Sequence, residues 1–353
     1  MLGSADDERG VLNTEMLTFN RGKFINVKQI AIYFNRGGYD ESTNGGILTL
    51  PDNTFTNRMN ENPIIHIMNI PQLIQKKFVG MYFAMAIITM SCSSPRKIVV
   101  QDLQMQIPSG MNIFTEELLT GEIADTKIEH IGYMGPTEQT ISLSDGNVSM
   151  FLFVSGKGTI HADSIMRSLG PESIAIPMNK IRQVQFKVSE GEQLHFLQFI
   201  KKMSLQEIED LKNFPEENKY DLFFTRFVDS EPYTEKIKSP NTVSRTVLPA
   251  DIVPRVSLGT VEVMGPDEVG AHEHPMLDQL FLGLTDNDIT VHADDASTEL
   301  KAYSLLHIPI GSSHWVTVDE NKKMNYMWMD FFLTKEGQEW LKTHKPTSTD
   351  KNK

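Results

Sequence analysis

From residue 98 onward the hydrophobic positions fall in short runs separated by Gly, Pro, Asn and Asp, the pattern of an all-β sandwich or barrel. Segments of helical period are few. One is "MSLQEIEDLKNF", where Ser204 and Glu207 form a capping-box pattern and Leu205, Ile208 and Leu211 share a helical face. Another is "TKEGQEWLKTHK", with Thr334 as its N-cap. The chain also repeats itself. "YMGPTEQ" at Tyr133 returns as "VMGPDEV" at Val263, and "GTIHADS" at Gly158 returns as "ITVHADD" at Ile289. "ESIAIPMNKIRQVQF" at Glu172 returns as "YSLLHIPIGSSHWVTV" at Tyr303. All three pairs stand about 130 residues apart in the same order, which predicts two copies of one β domain, each closed by a short helix.

Upstream the pattern differs. Residues 75–95 read "QKKFVGMYFAMAIITMSCSSP": two lysines, an uncharged apolar run from Phe78 to Met90, small residues and Cys92. That is the layout of a secretory signal. The run falls short of the ~20 apolar residues of a membrane-spanning helix; a buried core helix is the plainer alternative. The segment resembles a bacterial lipoprotein signal, whose lipobox, here Thr89-Met90-Ser91-Cys92, ends in the cysteine that is lipidated. Thr89 departs from the usual Leu. Met68 opens a normal signal start, so residues 1–67 are expected to be disordered, or upstream sequence translated from a misassigned start codon. The expected organisation is then a signal peptide over 68–91, a tether and lead-in strand over 92–120, and a first β domain over 121–203. A helix and linker follow over 204–250, then a second β domain over 251–335, then a helix and tail over 336–353.

Length and charge narrow the function. The 353 residues have room for two domains. A formal net charge of −13 without a long basic run argues against nucleic acid as a partner, because phosphate neutralisation by Lys and Arg supplies most of such affinity. The single cysteine, Cys92, excludes an intramolecular disulfide and a cysteine-based zinc cluster.

The chemistry concentrates in "GAHEHPMLDQLFLG", Gly270 to Gly283. In a strand, residues i and i+2 share a face, so His272 and His274 project side by side and Glu273 points away. Gln279 falls nominally on the same face after the bend at Pro275, and "HIPIGSSHW" brings His314 back behind a Pro309-Ile310-Gly311 turn. A histidine pair at this spacing also arises by chance; the third histidine behind its turn raises the pattern to a metal site. Nitrogen-rich ligation without thiolate suits one divalent ion, Zn, Fe, Mn, Ni or Cu.

"HEHPMLDQLFLG" with "PIGSSH" resembles the two metal motifs of the cupin superfamily. The resemblance covers about residues 255–335 with both motifs and about 125–203 without the ligands. It implies two tandem jelly-roll barrels, a bicupin, with His272, His274, Gln279 and His314 as metal ligands in the second. The family usually has Glu where Gln279 stands. A neutral amide beside three neutral imidazoles leaves the ion's charge intact, which favours a carboxylate or enolate ligand. Cupins that share this Gln include enzymes acting on unsaturated sugar acids. Asp278, one residue earlier, is the competing ligand if Pro275 causes a bulge.

The first copy keeps no such set. Laid over the second, its ligand positions hold Ile141 and Leu143, or Ser142 and Ser144, and Arg182 stands where His314 does. Arg182 and Lys180 offer an anion site, although a solvated basic edge is the plainer reading. His161 and His292 recur in the repeated "HAD" as part of a shared turn, with Asp163 and Asp294 capping backbone. His307 is read as structural or as supporting the site. Tyr326, Trp328 and Asp330 share one strand face, and Met327, Met329 and Phe331 the other; either face is placed to line a barrel mouth or to sit in the core. Tyr326, Asp330 and Glu273 are the weak candidates for a catalytic base. The functional expectation is a metal-dependent cupin isomerase, lyase or dioxygenase acting on a small polar molecule such as a sugar acid or keto acid. The alternative is a lipid-anchored bicupin that binds a sugar without turnover. Either would stand in the cell envelope, on the periplasmic or outer-membrane face, held to the membrane only through Cys92, and open to forming a homodimer.

Overall fold

The structure, a computed structural model, describes residues 29–35, 43–49, 98–178 and 180–343. Cys92, the apolar run 78–90 and most of residues 1–67 lie outside the described residues. The chain divides into two compact units, Met1–Met90 and Ser91–Lys353. In the first, Gln29–Asn35 (β1) pairs antiparallel with Thr43–Thr49 (β2). The alternation Ile30, Ile32, Phe34 supports this hairpin, over a run too short to register as a lasting period.

The second unit opens with Val99–Asp102 (β3). The first barrel takes Ile113–Leu118 (β4), Thr126–Met134 (β5), Thr137–Ser142 (β6), Asn147–Gly156 (β7) and Gly158–Ala162 (β8). It continues with Ile165–Leu169 (β9), Ser173–Pro177 (β10), Gln183–Val188 (β11) and Gln193–Lys202 (β12). Helix α1 (Leu205–Lys212) follows, and Leu222–Arg226 (β13) returns to the first barrel's edge. The second barrel takes Pro232–Tyr233 (β14), Val243–Leu248 (β15), Val256–Met264 (β16), Asp267–His272 (β17) and Leu277–Gly283 (β18). Then come Asp288–Ala293 (β19), Ala296–Lys301 (β20), Ser304–Ile308 (β21), His314–Val318 (β22) and Lys323–Phe332 (β23), closed by helix α2 (Lys335–Thr343).

Each barrel is a jelly roll of two antiparallel sheets. In the first, β13-β10-β7-β12-β5-β4 faces β6-β11-β8-β9; in the second, β14-β15-β16-β23-β18-β21-β3 faces β17-β22-β19-β20. The lead-in strand β3 precedes the first barrel in sequence but pairs with β21 of the second, Val99 opposite His307 and Asp102 opposite Ser304. Alternation along the strands of the larger sheets feeds two cores at once. In β12, Leu194 and Phe196 point into the first barrel, whereas Leu197 and Phe199 join Leu258, Leu280, Leu282, Met327 and Met329 of the second barrel in one shared core. The two large sheets are therefore packed on each other.

Helix α1 is capped by Ser204: its Oγ accepts from Glu207 N at 3.2 Å, and Glu207 accepts in return from Ser204 N at 2.9 Å. Ile208 and Leu211 pack on the shared core, but Leu205 is 88 % exposed, because the helix face runs past the edge of the core at its first turn. Thr334 Oγ1 accepts from Gly337 N at 3.1 Å at the start of α2. The repeated "HAD" is a two-residue hairpin turn in both barrels, with Asp163 at φ 49° and Asp294 at φ 51°, the left-handed conformation that Asp tolerates.

Candidate metal centre

His272 ends β17 and His274 lies two residues on, in the turn into β18. A register shift between Val269 and His272 is what sets His272 directly opposite His314, the first residue of β22. The three imidazoles offer ligand atoms that all lie within 4.8 Å of one another. Their ring centroids are 4.9 Å apart for His272 and His274, 4.3 Å for His272 and His314, and 5.4 Å for His274 and His314.

Backbone carbonyls orient two of the rings. His272 Nδ1 donates to Gly270 O at 2.8 Å and His314 Nδ1 to Ser312 O at 3.1 Å, an assignment that leaves Nε2 unprotonated on both. The loop before His314 is itself held by Asp294, which donates its backbone N–H to Ser313 O and accepts Ser313 N–H at Oδ1. The aspartate of the hairpin turn thus positions a ligand strand in addition to shaping its own turn. Burial, then the neighbouring His272 and His274, drive the His314 pKa well below the ordinary value, so this ring is neutral at physiological pH.

Gln279, on β18, is buried and lines the same cavity. Its Nε2 donates to Asp330 Oδ1 at 2.7 Å, which fixes the amide's orientation, while its Oε1 is buried without a hydrogen-bond partner. His314 Nε2 is likewise buried without a partner. Two buried orphaned acceptors, one in the histidine cluster and one on the wall of the same cavity, carry an unmet cost that a coordinated cation removes, so the residues present fit a divalent ion. Asp278 takes no part. It faces the other side of β18, where it meets His307 Nε2 at 3.1 Å, and His307 Nδ1 meets Glu122 of the first barrel at 2.9 Å. His307 is therefore part of the inter-barrel contact.

The cavity above the histidines measures about 740 Å³. Trp328 and Asp330 of β23 line it; Tyr326, on the same face, is buried deeper in the barrel core, and burial raises its pKa. Burial also pushes the Asp330 carboxyl up to about 7, against hydrogen bonds from Gln279 and Ser257. Glu273 stands exposed at the rim. The motifs gave no sign of a strap over residues 233–238 that crosses the mouth, anchored where Gly270 N donates to Ile237 O at 2.8 Å. It brings Tyr233, Glu235 and Lys238 to the cavity. Lys238 Nζ lies 2.7 Å from Glu235; burial lowers its pKa and the glutamate opposes that shift. No sequence period marks this strap, and only its Lys-rich composition could have drawn notice.

The first barrel carries no histidine at the corresponding strand positions. Ser142 stands opposite Gln183, as His272 stands opposite His314, so the cross-strand counterpart of His314 is Gln183, one residue beyond the expected Arg182. Arg182 instead lies beside Asp145 at 3.4 Å on the surface. The interior is filled by Tyr133, Phe151, Phe153, Phe186 and Phe196, whose rings pack at centroid distances from 4.9 to 6.3 Å.

Two jelly-roll barrels in tandem, their large sheets packed together, match the fold of solved structures over about two thirds of the chain. This is the bicupin fold. A protein of Pseudomonas aeruginosa described as glyoxylate-induced superposes with a TM-score of 0.54 at 10% identity, over 68% of this chain and 90% of that one. Ylba from E. coli superposes with a TM-score of 0.51 at 10% identity, over 67% and 91%. A cupin 2 conserved barrel domain protein from Leptotrichia buccalis gives 0.47 at 12% identity, over 66% and 96%. No family model matches the sequence. No curated protein matches it either.

Proposed function

We propose that this bicupin is a metal-dependent enzyme outside the cytoplasm, acting on a small carboxylate such as a sugar acid or keto acid by isomerisation, elimination or oxygen chemistry. The observation that carries the reading is the gathering of three imidazoles, their ligand atoms within 4.8 Å of one another, with two buried orphaned acceptors, His314 Nε2 in the cluster and Gln279 Oε1 on a residue that lines the same cavity as His272 and His274. His272, His274, Gln279 and His314 would hold the ion, which supplies Lewis acidity toward a substrate oxygen and so acidifies an adjacent C–H. All four donors are neutral, so the positive charge is left for an anionic ligand. Asp330 engages the Gln279 amide nitrogen and so leaves the oxygen as the atom available to the ion. Lys236 adds a positive charge at the mouth, whereas that of Lys238 is offset by Glu235.

Elemental analysis of the purified chain tests this. About one transition-metal ion per chain is expected, lost in the His272→Ala, His274→Ala double variant. A chain without metal, and a variant indistinguishable from it, would remove the enzyme reading. A second reading, capture of a small ligand without turnover, draws on the aromatic-filled first barrel, which keeps a fold without a site. Substrate consumption by the metal-loaded chain separates the two. Attachment of the chain to the membrane through Cys92 is part of the proposal, and mass spectrometry of the native N-terminus reads it directly.

A further inference from the structure

The walls of the cavity are of two kinds. Trp328, Phe281, Val269 and Ile237 present apolar surface. The half-buried indole of Trp328 occupies space left by Gly259 directly across on β16, where a Cβ would collide with the ring. Lys236 and Glu273 stand exposed at the rim, and the polar groups deeper in the walls are committed to one another. Lys238 Nζ is held by Glu235 and donates to Ser244 Oγ at 2.8 Å, the Tyr233 hydroxyl is shared with Glu235 and Thr246, and Asp330 accepts from the Gln279 amide. A ligand rich in hydroxyls would carry them out of water against indole, phenyl and alkyl surface, and each one buried without a partner weakens binding. An acid with a planar hydrocarbon body meets no such cost and gains from burial and from stacking on Trp328. Its carboxylate would meet the neutral donor set of the floor and the cation held there.

We infer that the ligand of this cavity is an aryl-substituted carboxylic acid of the arylpyruvate type, and that polyhydroxylated sugar acids are excluded. The inference rests on the metal-dependent reading above and chooses within it. Calorimetric titration of the full chain, loaded with zinc, compares phenylpyruvate with glucuronate. Phenylpyruvate binds at least roughly tenfold more tightly, by the area its ring buries. Trp328→Ala removes most of that preference and leaves the zinc content unchanged. Ile237→Asn, on the strap and away from β23, narrows it in the same direction and guards against a barrel disturbed by loss of the indole. Equal or tighter binding of glucuronate, binding of neither acid, or a preference that survives both substitutions overturns the inference. Zinc content is measured on every sample. A chain that takes up no zinc defeats the metal-dependent reading, and the same tenfold preference is then required of the metal-free chain. A chain that holds zinc and favours glucuronate defeats only the ligand class.

Discussion

Gln279 has one amide with two ends: its nitrogen is spent on Asp330, and its oxygen is buried without a partner. Replacing Asp330 by Ala removes the group that fixes the amide, and the expected result is roughly 10–100-fold weaker metal binding, read by competition with a chromophoric chelator. Asp330→Asn retains an acceptor oxygen for Gln279 and is expected to keep most of the affinity, which separates orientation from charge. Gln279→Glu tests the opposite property. It places an anion in the donor set, so metal should be held at least as tightly while a carboxylate ligand binds roughly tenfold more weakly, by the charge it now faces. At this scale the sequence carried the histidines well, because bonding to one ion demands a spacing that survives in the chain as His-x-His and Pro-x-Gly-x2-His. It carried the wall poorly. Tyr233, Glu235 and Lys238 arrive from a strap held by main-chain pairing, Tyr233 opposite Ser244 and Lys238 opposite Val269, and a contact between main-chain atoms leaves no residue signature.

Among the elements, helix α1 is tied to β12 through a buried ion pair between Lys201 and Glu207, the same glutamate that completes the cap on Ser204. Burial raises the Glu207 pKa, but hydrogen bonds from Lys201 and Ser204 outweigh it and leave the folded-state value below the ordinary 4.5. A carboxylate lowered on folding contributes stability that is fully present above its unfolded value and is lost as pH falls through its folded one. Thermal melts of the wild type should therefore weaken below about pH 4.5 in part through Glu207, and Glu207→Gln should flatten that portion of the profile. Lys201→Met leaves the buried carboxylate uncompensated and is expected to cost about 3–5 kcal/mol by denaturant unfolding. Ser204→Ala costs less, about 1 kcal/mol. The capping box was legible because it is local, four residues that satisfy one another. The ion pair to Lys201 was not, because strand β12 and the helix meet through a turn whose geometry no pattern of apolar residues encodes. A related limit explains Arg182: the loops before β11 and β22 are equally long, but Pro177 ends strand β10 whereas Pro309 follows β21, so matching the two prolines slides the register by one residue, and only cross-strand pairing shows that Gln183 is the counterpart of His314.

For the second unit as a whole, the decisive feature is that its two barrels, besides a core inside each, share a further core between their large sheets. Leu197 and Phe199 of the first barrel and Leu258, Leu280, Leu282 and Met329 of the second bury one another between the large sheets. The lead-in strand β3 leaves the first barrel's sequence neighbourhood to pair with β21, and Ser304 Oγ donates to Asp102 Oδ1 at 2.7 Å across that junction. Glu122 reaches over to His307, which also holds Asp278 beside the metal-ligand strand. The internal repeat announces two barrels as beads, and nothing in either copy announces that a strand crosses between them. If the shared core governs stability, a truncation within it must weaken both barrels at once. Leu282→Ala, at a fully buried position of the second barrel, is expected to cost about 2–5 kcal/mol, by lost burial plus the cavity left behind. It should lower a single thermal transition, followed in parallel by the near-ultraviolet signal of the first barrel's Tyr133 and phenylalanine cluster and by release of metal from the second. Two separated transitions, with the aromatic signal of the first barrel unmoved, would show that the barrels fold independently and that the face between them is only a contact.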